Sequence, residues 1–186
     1  VQIGGSNRFA TFKFWYAPIT EQNQTFVKIQ INFLEKMSHE PKKHEIHPIA
    51  PQLKEELQTE YPQHYELATK KATLYTYDLK EIAAEKARAI LTRRGFKARD
   101  IIDLFHLSKK GITIETEKET IIKKTLFMLK YLKYKENLSN KKFPENFELG
   151  TEKNLIITGP EKGFQKFADK TLKELNSLAQ EIKNKK

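Results

Sequence analysis

Cysteine is absent from all 186 residues, so neither a disulfide framework nor a thiolate metal site is open to this chain. No apolar run approaches the length of a membrane span, and no signal-peptide pattern opens the sequence. These absences point to a cytoplasmic protein without a membrane partner. No internal repeat is evident. The chain starts at Val1 rather than at methionine and enters a strand-like segment almost at once, which raises the expectation of a missing N-terminal piece.

What is present is charge. Thirty-four Lys and Arg against twenty-four Asp and Glu leave a net charge of +10 and a pI near 9.5. Such a balance attracts polyanions, nucleic acid among them, and equally describes a Lys/Glu-rich solvated surface. Charge alone does not choose between the two.

Alternation of apolar and polar residues predicts strands over Phe9 to Trp15 and Phe26 to Leu34, joined by the Pro18-containing loop from Ala17 to Thr25. In the second strand Phe26, Lys28, Gln30 and Asn32 share one face, while Val27, Ile29 and Ile31 share the other. Met37 to Pro51 carries three prolines and three histidines and reads as a loop. Proline separates His39, His44 and His47, and no regular element fixes their spacing for a metal. Pro48 to Pro51 reads as a connector. A short helix is expected over Gln52 to Tyr61 and a strand over Lys71 to Tyr77.

The stretch from Tyr77 to Lys110 is the most specific. Asp78 followed by Glu81 has capping-box spacing, so a helix starts there and ends at Gly95 behind Arg93 and Arg94. Steps of about 100° per residue place Leu79, Ile82, Ala83, Lys86, Ile90 and Arg93 on one face, with Lys86 near the middle of the buried stripe. An ammonium there must snorkel, pair with a carboxylate or meet an anion in a cleft. A second helix begins near Arg99 and Asp100. Asp100 suits its N-terminus, and Asp103 lies one turn deeper, on a side shared with Arg99 and His106.

Beyond Gly111, the amphipathic segment Glu117 to Tyr134 predicts one core helix whose lysines 123, 124, 130, 133 and 135 form a basic face. That face is either solvated or turned toward RNA. Asn137 to Thr151 reads as a polar loop. A brief apolar run from Leu155 to Ile157 and the pair Gly159-Pro160 lead into a last amphipathic helix to about Lys183. The expected class is α+β, with an antiparallel or mixed sheet region and its loop over residues 1–77 and a helical region over 78–186.

The strand ending at Tyr75 to Tyr77, the helix EIAAEKARAILTRR and the segment KARDIIDLFHL together resemble the AbiEii/AbiGii-type nucleotidyltransferase toxins of type IV toxin–antitoxin systems. There a helix of the form E-x-x-x-x-K-x-x-A, closing on arginine, precedes R-D-x-x-D-[LI]. Glu81, Lys86, Ala89, Arg93, Arg99, Asp100 and Asp103 occupy those positions. The resemblance implies transfer of a nucleoside monophosphate from a nucleoside triphosphate to an RNA acceptor such as tRNA, with Mg²⁺ as cofactor and a cognate antitoxin as partner. It makes Lys86, Asp103 and Asp100 the catalytic candidates and Lys86, Arg93, Arg99 and Lys28 the nucleotide-binding ones. Lys86 would bind the triphosphate, and Asp103 would orient that lysine or serve as general base.

The family's Gly-Ser followed by D-x-D has only its Gly-Ser counterpart here, at Gly5-Ser6, and Gln30 stands at a strand position the family often gives to an acid. Metal ligands are therefore not evident in the sequence. Three readings stay open: an enzyme whose D-x-D part precedes Val1, a catalytically inactive remnant that binds nucleotide or RNA, and a non-enzymatic module that binds nucleic acid through its basic helix.

Overall fold

A computed structural model describes residues 2–4, 9–18, 23–47, 55–155 and 159–185. Gly5-Ser6, the Pro48 to Pro51 connector, and Ile156 and Ile157 of the apolar run lie outside the described residues. The chain divides into two compact units, Val1–Met37 and Ser38–Lys186.

The first unit is an antiparallel sheet of β1 (Gln2–Gly4), β2 (Phe9–Tyr16) and β3 (Thr25–Asn32), in the order β1-β2-β3. Pairs such as Ala10 with Ile31, Phe12 with Ile29 and Phe14 with Val27 fix the register. Because side chains alternate along a strand, these six residues share one apolar face. Thr11, Lys13, Trp15, Phe26, Lys28 and Gln30 occupy the other.

The second unit opens with β4 (Lys42–Ile46), which pairs antiparallel with β5 (Ala72–Thr76) across two short helices, α1 (Glu55–Glu60) and α2 (Pro62–Thr69). The loop expected over Met37 to Pro51 thus contains a strand. Its lysines and histidine hid the β signal, and the pairing partner lies some thirty residues downstream. Among the described residues the molecule holds two small antiparallel sheets and seven α-helices, an α+β fold.

The core belongs to the helices. α3 (Leu79–Thr92) packs against α4 (Ala98–Ser108), α5 (Lys118–Met128), α6 (Leu132–Ser139) and α7 (Phe164–Asn184). Its buried alanines at 83, 84, 87 and 89 let neighbouring helices approach closely, while Ile90 and Leu91 fill the space between. Asp78 is the N-cap, accepting from the Lys80 N–H at 2.8 Å and pairing with Lys42 at the start of β4 at 2.5 Å.

Two features differ from the sequence expectation. α3 does not end on a left-handed glycine: Arg93, the C-cap, is already extended, and Gly95 is not among the positive-φ glycines. The carbonyls at this end are taken instead by side chains far downstream, in and just after α6. Asn137 donates to the Thr92 carbonyl at 2.9 Å, and Lys141 donates to those of Arg93 and Gly95 at 3.0 and 3.2 Å. The single helix expected over Glu117 to Tyr134 is two helices, broken where Tyr131 adopts extended φ and ψ of −99° and 124°. That break allows Leu129 and Leu138 both to reach the core, and it carries helix into what had read as a polar loop.

α7 follows Gly163, whose φ of +87° favours glycine, and buries Phe164, Ala168, Thr171, Leu172, Leu175, Leu178, Ala179 and Ile182 at helical spacing. Its N-terminal end meets a cluster of rings: Phe164 lies 5.3 Å from Phe105 and 5.4 Å from Phe147, centroid to centroid. No helix among the described residues is long and apolar enough to cross a membrane. Leu175 is wholly enclosed whereas Leu132 is 68% exposed. Leu175→Ala is therefore expected to cost about 2–5 kcal/mol in urea denaturation, and Leu132→Ala no more than about 0.5 kcal/mol.

Candidate functional site

Lys86 stands on α3 about two turns before Arg93, the extended residue that caps the helix. Asp100 and Asp103, one turn apart, face them from α4. The chain leaves α3 at Arg93, which lets the guanidinium fold back onto the first turn of the next helix. Its Nη1 donates to Asp100 Oδ2 at 2.6 Å. Lys86 Nζ lies 3.3 Å from Asp100 Oδ1 and 2.5 Å from Asp103 Oδ2. Both oxygens of Asp100 are therefore matched by cations, and its carboxylate is only 2% exposed. Asp103 is 44% exposed and Lys86 30% exposed.

Lys86 is thus half-buried rather than central to a dry stripe; the enclosed positions of α3 lie on its alanine side. Burial alone would lower the lysine pKa. The hydrogen bond that Lys86 donates to Asp103, and the charges of Asp103 and Asp100, outweigh it, so the pKa is raised above the ordinary lysine value. The sign has a chemical consequence: Lys86 stays an ammonium throughout the neutral range, acting as a donor and a fixed positive charge and never as a base.

The other candidates are placed elsewhere. Arg99 turns to Glu152 in the 3-10 helix Gly150–Leu155, with Nε 3.9 Å from one carboxylate oxygen and its backbone N–H donating to the other at 2.9 Å. It braces α4 and does not join the cluster. Lys28 lies in the first unit, on β3 directly opposite Lys13 of β2. The three histidines have separate surroundings: His39 pairs with Glu117 at 3.2 Å, His44 sits opposite Leu74 in β4, and His47 pairs with Glu45 at 3.3 Å.

A second enclosed charge pair joins α3 to α5. Glu81 has no exposed surface and forms an ion pair with Lys124, itself 3% exposed. Glu81 also accepts the backbone N–H groups of Ser38 and His39 at 3.0 and 2.9 Å, and Lys124 lies 3.5 Å from Glu85. Glu81 therefore does not complete a capping box by turning back to its own helix start, and Lys124 does not belong to the solvated basic face. A signal was available: Lys124 falls between Ile121 and Met128 at helical spacing, on the buried side of α5 with Thr125. Desolvation pushes the Glu81 pKa up, but the hydrogen bond and charge of Lys124, with the two backbone N–H groups, more than offset it and hold the carboxyl below its usual range.

As a donor set the cluster does not fit a divalent cation. The oxygens of Asp100 face Lys86 and Arg93, leaving Asp103 as its one accessible carboxylate. Among the described residues no group of three or more His, Cys, Asp or Glu side chains is placed to hold a metal.

A family model described as nucleotidyl transferase AbiEii toxin, Type IV TA system, matches residues 1–183. No curated protein and no solved structure gives a significant match.

The buried pair generates a pH prediction. With its folded pKa depressed, Glu81 contributes stability that is present above the unfolded glutamate value of about 4.3 and is lost as pH falls through the folded value. Urea denaturation of wild type and Glu81→Gln should therefore differ by roughly 3–5 kcal/mol at neutral pH, with the gap closing only below about pH 4.3. A gap unchanged down to acid denaturation would mean that the charge of Glu81 does no stabilising.

Proposed function

Because the chain belongs to the AbiEii nucleotidyltransferase toxin family, we propose that the Lys86, Arg93, Asp100 and Asp103 cluster handles phosphate in a nucleotidyl-transfer centre. The donor is a nucleoside triphosphate and the acceptor an RNA, with tRNA as the first choice. The family implies the triphosphate substrate and a cognate antitoxin. A reaction between nucleotide and RNA belongs in the cytoplasm.

One observation carries the reading. An ammonium held charged by two carboxylates is left partly open to solvent at the junction of two helices. In the reaction an acceptor hydroxyl oxygen forms a bond to the α-phosphorus while the bond from that phosphorus to the bridging oxygen breaks, releasing pyrophosphate. Negative charge accumulates on the phosphoryl and leaving-group oxygens. Lys86 offsets it by donating to them, and Arg93 offers the guanidinium nitrogens not used by Asp100. Asp103, the accessible carboxylate, takes the proton of the attacking hydroxyl. Asp100, enclosed and doubly paired, fixes the orientation of both cations. Arg99 stays as a secondary candidate for phosphate contact, and Lys28, in the first unit, is given no part in the cluster.

Nucleotidyltransferases of this family generally use divalent metal, and Mg²⁺ is the cofactor the reading implies. Since the described residues do not form a cage for it, no step above is assigned to a metal. That donor set also favours a second reading, a protein that binds nucleotide or RNA without turnover.

Incubation with labelled nucleoside triphosphates, Mg²⁺ and total tRNA separates the two. Under the first reading wild type labels RNA, and Lys86→Ala and Asp103→Ala each reduce the rate by about a hundredfold or more. Unchanged labelling in either variant would remove that residue from the site. Under the second reading no RNA is labelled, yet nucleotide raises the Tm of wild type and not of Lys86→Ala.

A further inference from the structure

We infer that the polar face of the β1–β3 sheet binds single-stranded RNA, stacking a base on Trp15 and Phe26 and pairing the adjoining phosphate with Lys13 and Lys28. The register places these four residues as two directly opposed pairs, Lys13 with Lys28 and Trp15 with Phe26. The pairs are one same-face step apart, about 6.8 Å along the strands, within the reach of a single nucleotide from base to phosphate.

Three observations point to such a ligand. First, two lysines directly across an antiparallel pair repel one another, and none of the three strands contains an aspartate or glutamate to compensate. An anion between them relieves that repulsion. Second, the aromatic pair is presented to solvent. Trp15 is 58% exposed and Phe26 37%, with ring centroids 4.7 Å apart. Third, Lys13 Nζ lies 4.8 Å from the Phe26 ring centroid and 6.0 Å from that of Trp15, so the rings already attract a cation across their faces. A base stacking there takes the ring face while the Lys13 ammonium moves to the phosphate.

Beyond the lysines, Gln30 donates to the Thr11 hydroxyl at 3.3 Å and extends the face with amide and hydroxyl groups suited to base edges or ribose. The sheet's opposite side, lined by Phe12, Phe14, Val27, Ile29 and Ile31, has no group that could recognise an anion. Basic and aromatic side chains interleaved on one face are what sequence-tolerant binding of a single strand requires.

The inference concerns the same RNA acceptor as the proposed function, but its test needs no turnover. Loss of labelling with intact binding, or the reverse, tells the two apart. Trp15 is the chain's one tryptophan and thus a built-in reporter. Titrating the full chain with a single-stranded oligouridylate should quench its fluorescence saturably. The affinity should fall with salt at a log–log slope of about −1.4 from the two lysines together. With end-labelled oligonucleotide and anisotropy as readout, Trp15→Ala and the double variant Lys13→Gln/Lys28→Gln should each weaken binding roughly tenfold or more. Lys13→Arg/Lys28→Arg should retain it, and far-UV circular dichroism reports whether each variant is folded. Equal affinity in folded Trp15→Ala or in the folded glutamine double variant would overturn the assignment. So would quenching by a free nucleoside triphosphate as strong as that by the oligomer per nucleotide, or by inorganic triphosphate alone.

Discussion

The helical unit depends on one enclosed charge, the carboxylate of Glu81. Bringing it out of water costs several kcal/mol, and that cost is met only because three donors converge on it: the Lys124 ammonium and the backbone N–H groups of Ser38 and His39. The donors arrive from two distant parts of the chain. α5 must place Lys124 against α3, and the segment before β4 must pass close enough to present two consecutive amides. A hydrophobic contact at this point would tolerate sliding, whereas a carboxylate with three partners does not. Through this constraint α3, the helix that carries Lys86 and ends at Arg93, is fixed against its neighbours before any ligand arrives.

Asp100 and Asp103 show how one helix turn separates two environments for the same side chain. Asp100 lies in the first turn of α4, against α3, so both of its oxygens are claimed by Lys86 and Arg93 and water is excluded. Asp103 reaches the same ammonium from the rim and remains accessible. An enclosed carboxylate whose lone pairs face two cations is suited to holding geometry, and an accessible one to exchanging a proton. The raised pKa of Lys86 follows from both, which is why neither aspartate alone explains the site.

Much of this was legible in the sequence where a local rule applied. The Asp78 cap, the seven-residue spacing of Lys86 and Arg93, the three-residue spacing of Asp100 and Asp103 and the apolar stripe of α7 all depend on helical periodicity. The misreadings share a different cause: each depends on a partner distant in sequence. Glu81 was read against its own helix start, when its partners lie about forty residues away on either side. Lys124 sits among basic neighbours in the sequence, yet its spacing from Ile121 and Met128 puts it on the buried side. β4 reads as loop because nothing within it announces β5. The end of α3 was credited to Gly95, when Asn137 and Lys141 supply the missing donors. A residue's own turn of helix can be read from its neighbours, but the group that satisfies a buried charge or an open carbonyl cannot.

The distribution of charge links the fold to its ligands. The chain carries +10 overall, yet Lys86, Arg93, Asp100 and Asp103 sum to zero, so the cluster by itself exerts little long-range pull on a polyanion. Its fields act at short range, within hydrogen-bond distance of the paired groups. Attraction over distance must come from cations whose neighbours do not cancel them. Lys13 and Lys28 on an acid-free sheet are one such set. A positive field spread over surfaces that neutral machinery does not own would draw nucleic acid to the protein without locking phosphate onto the reacting groups.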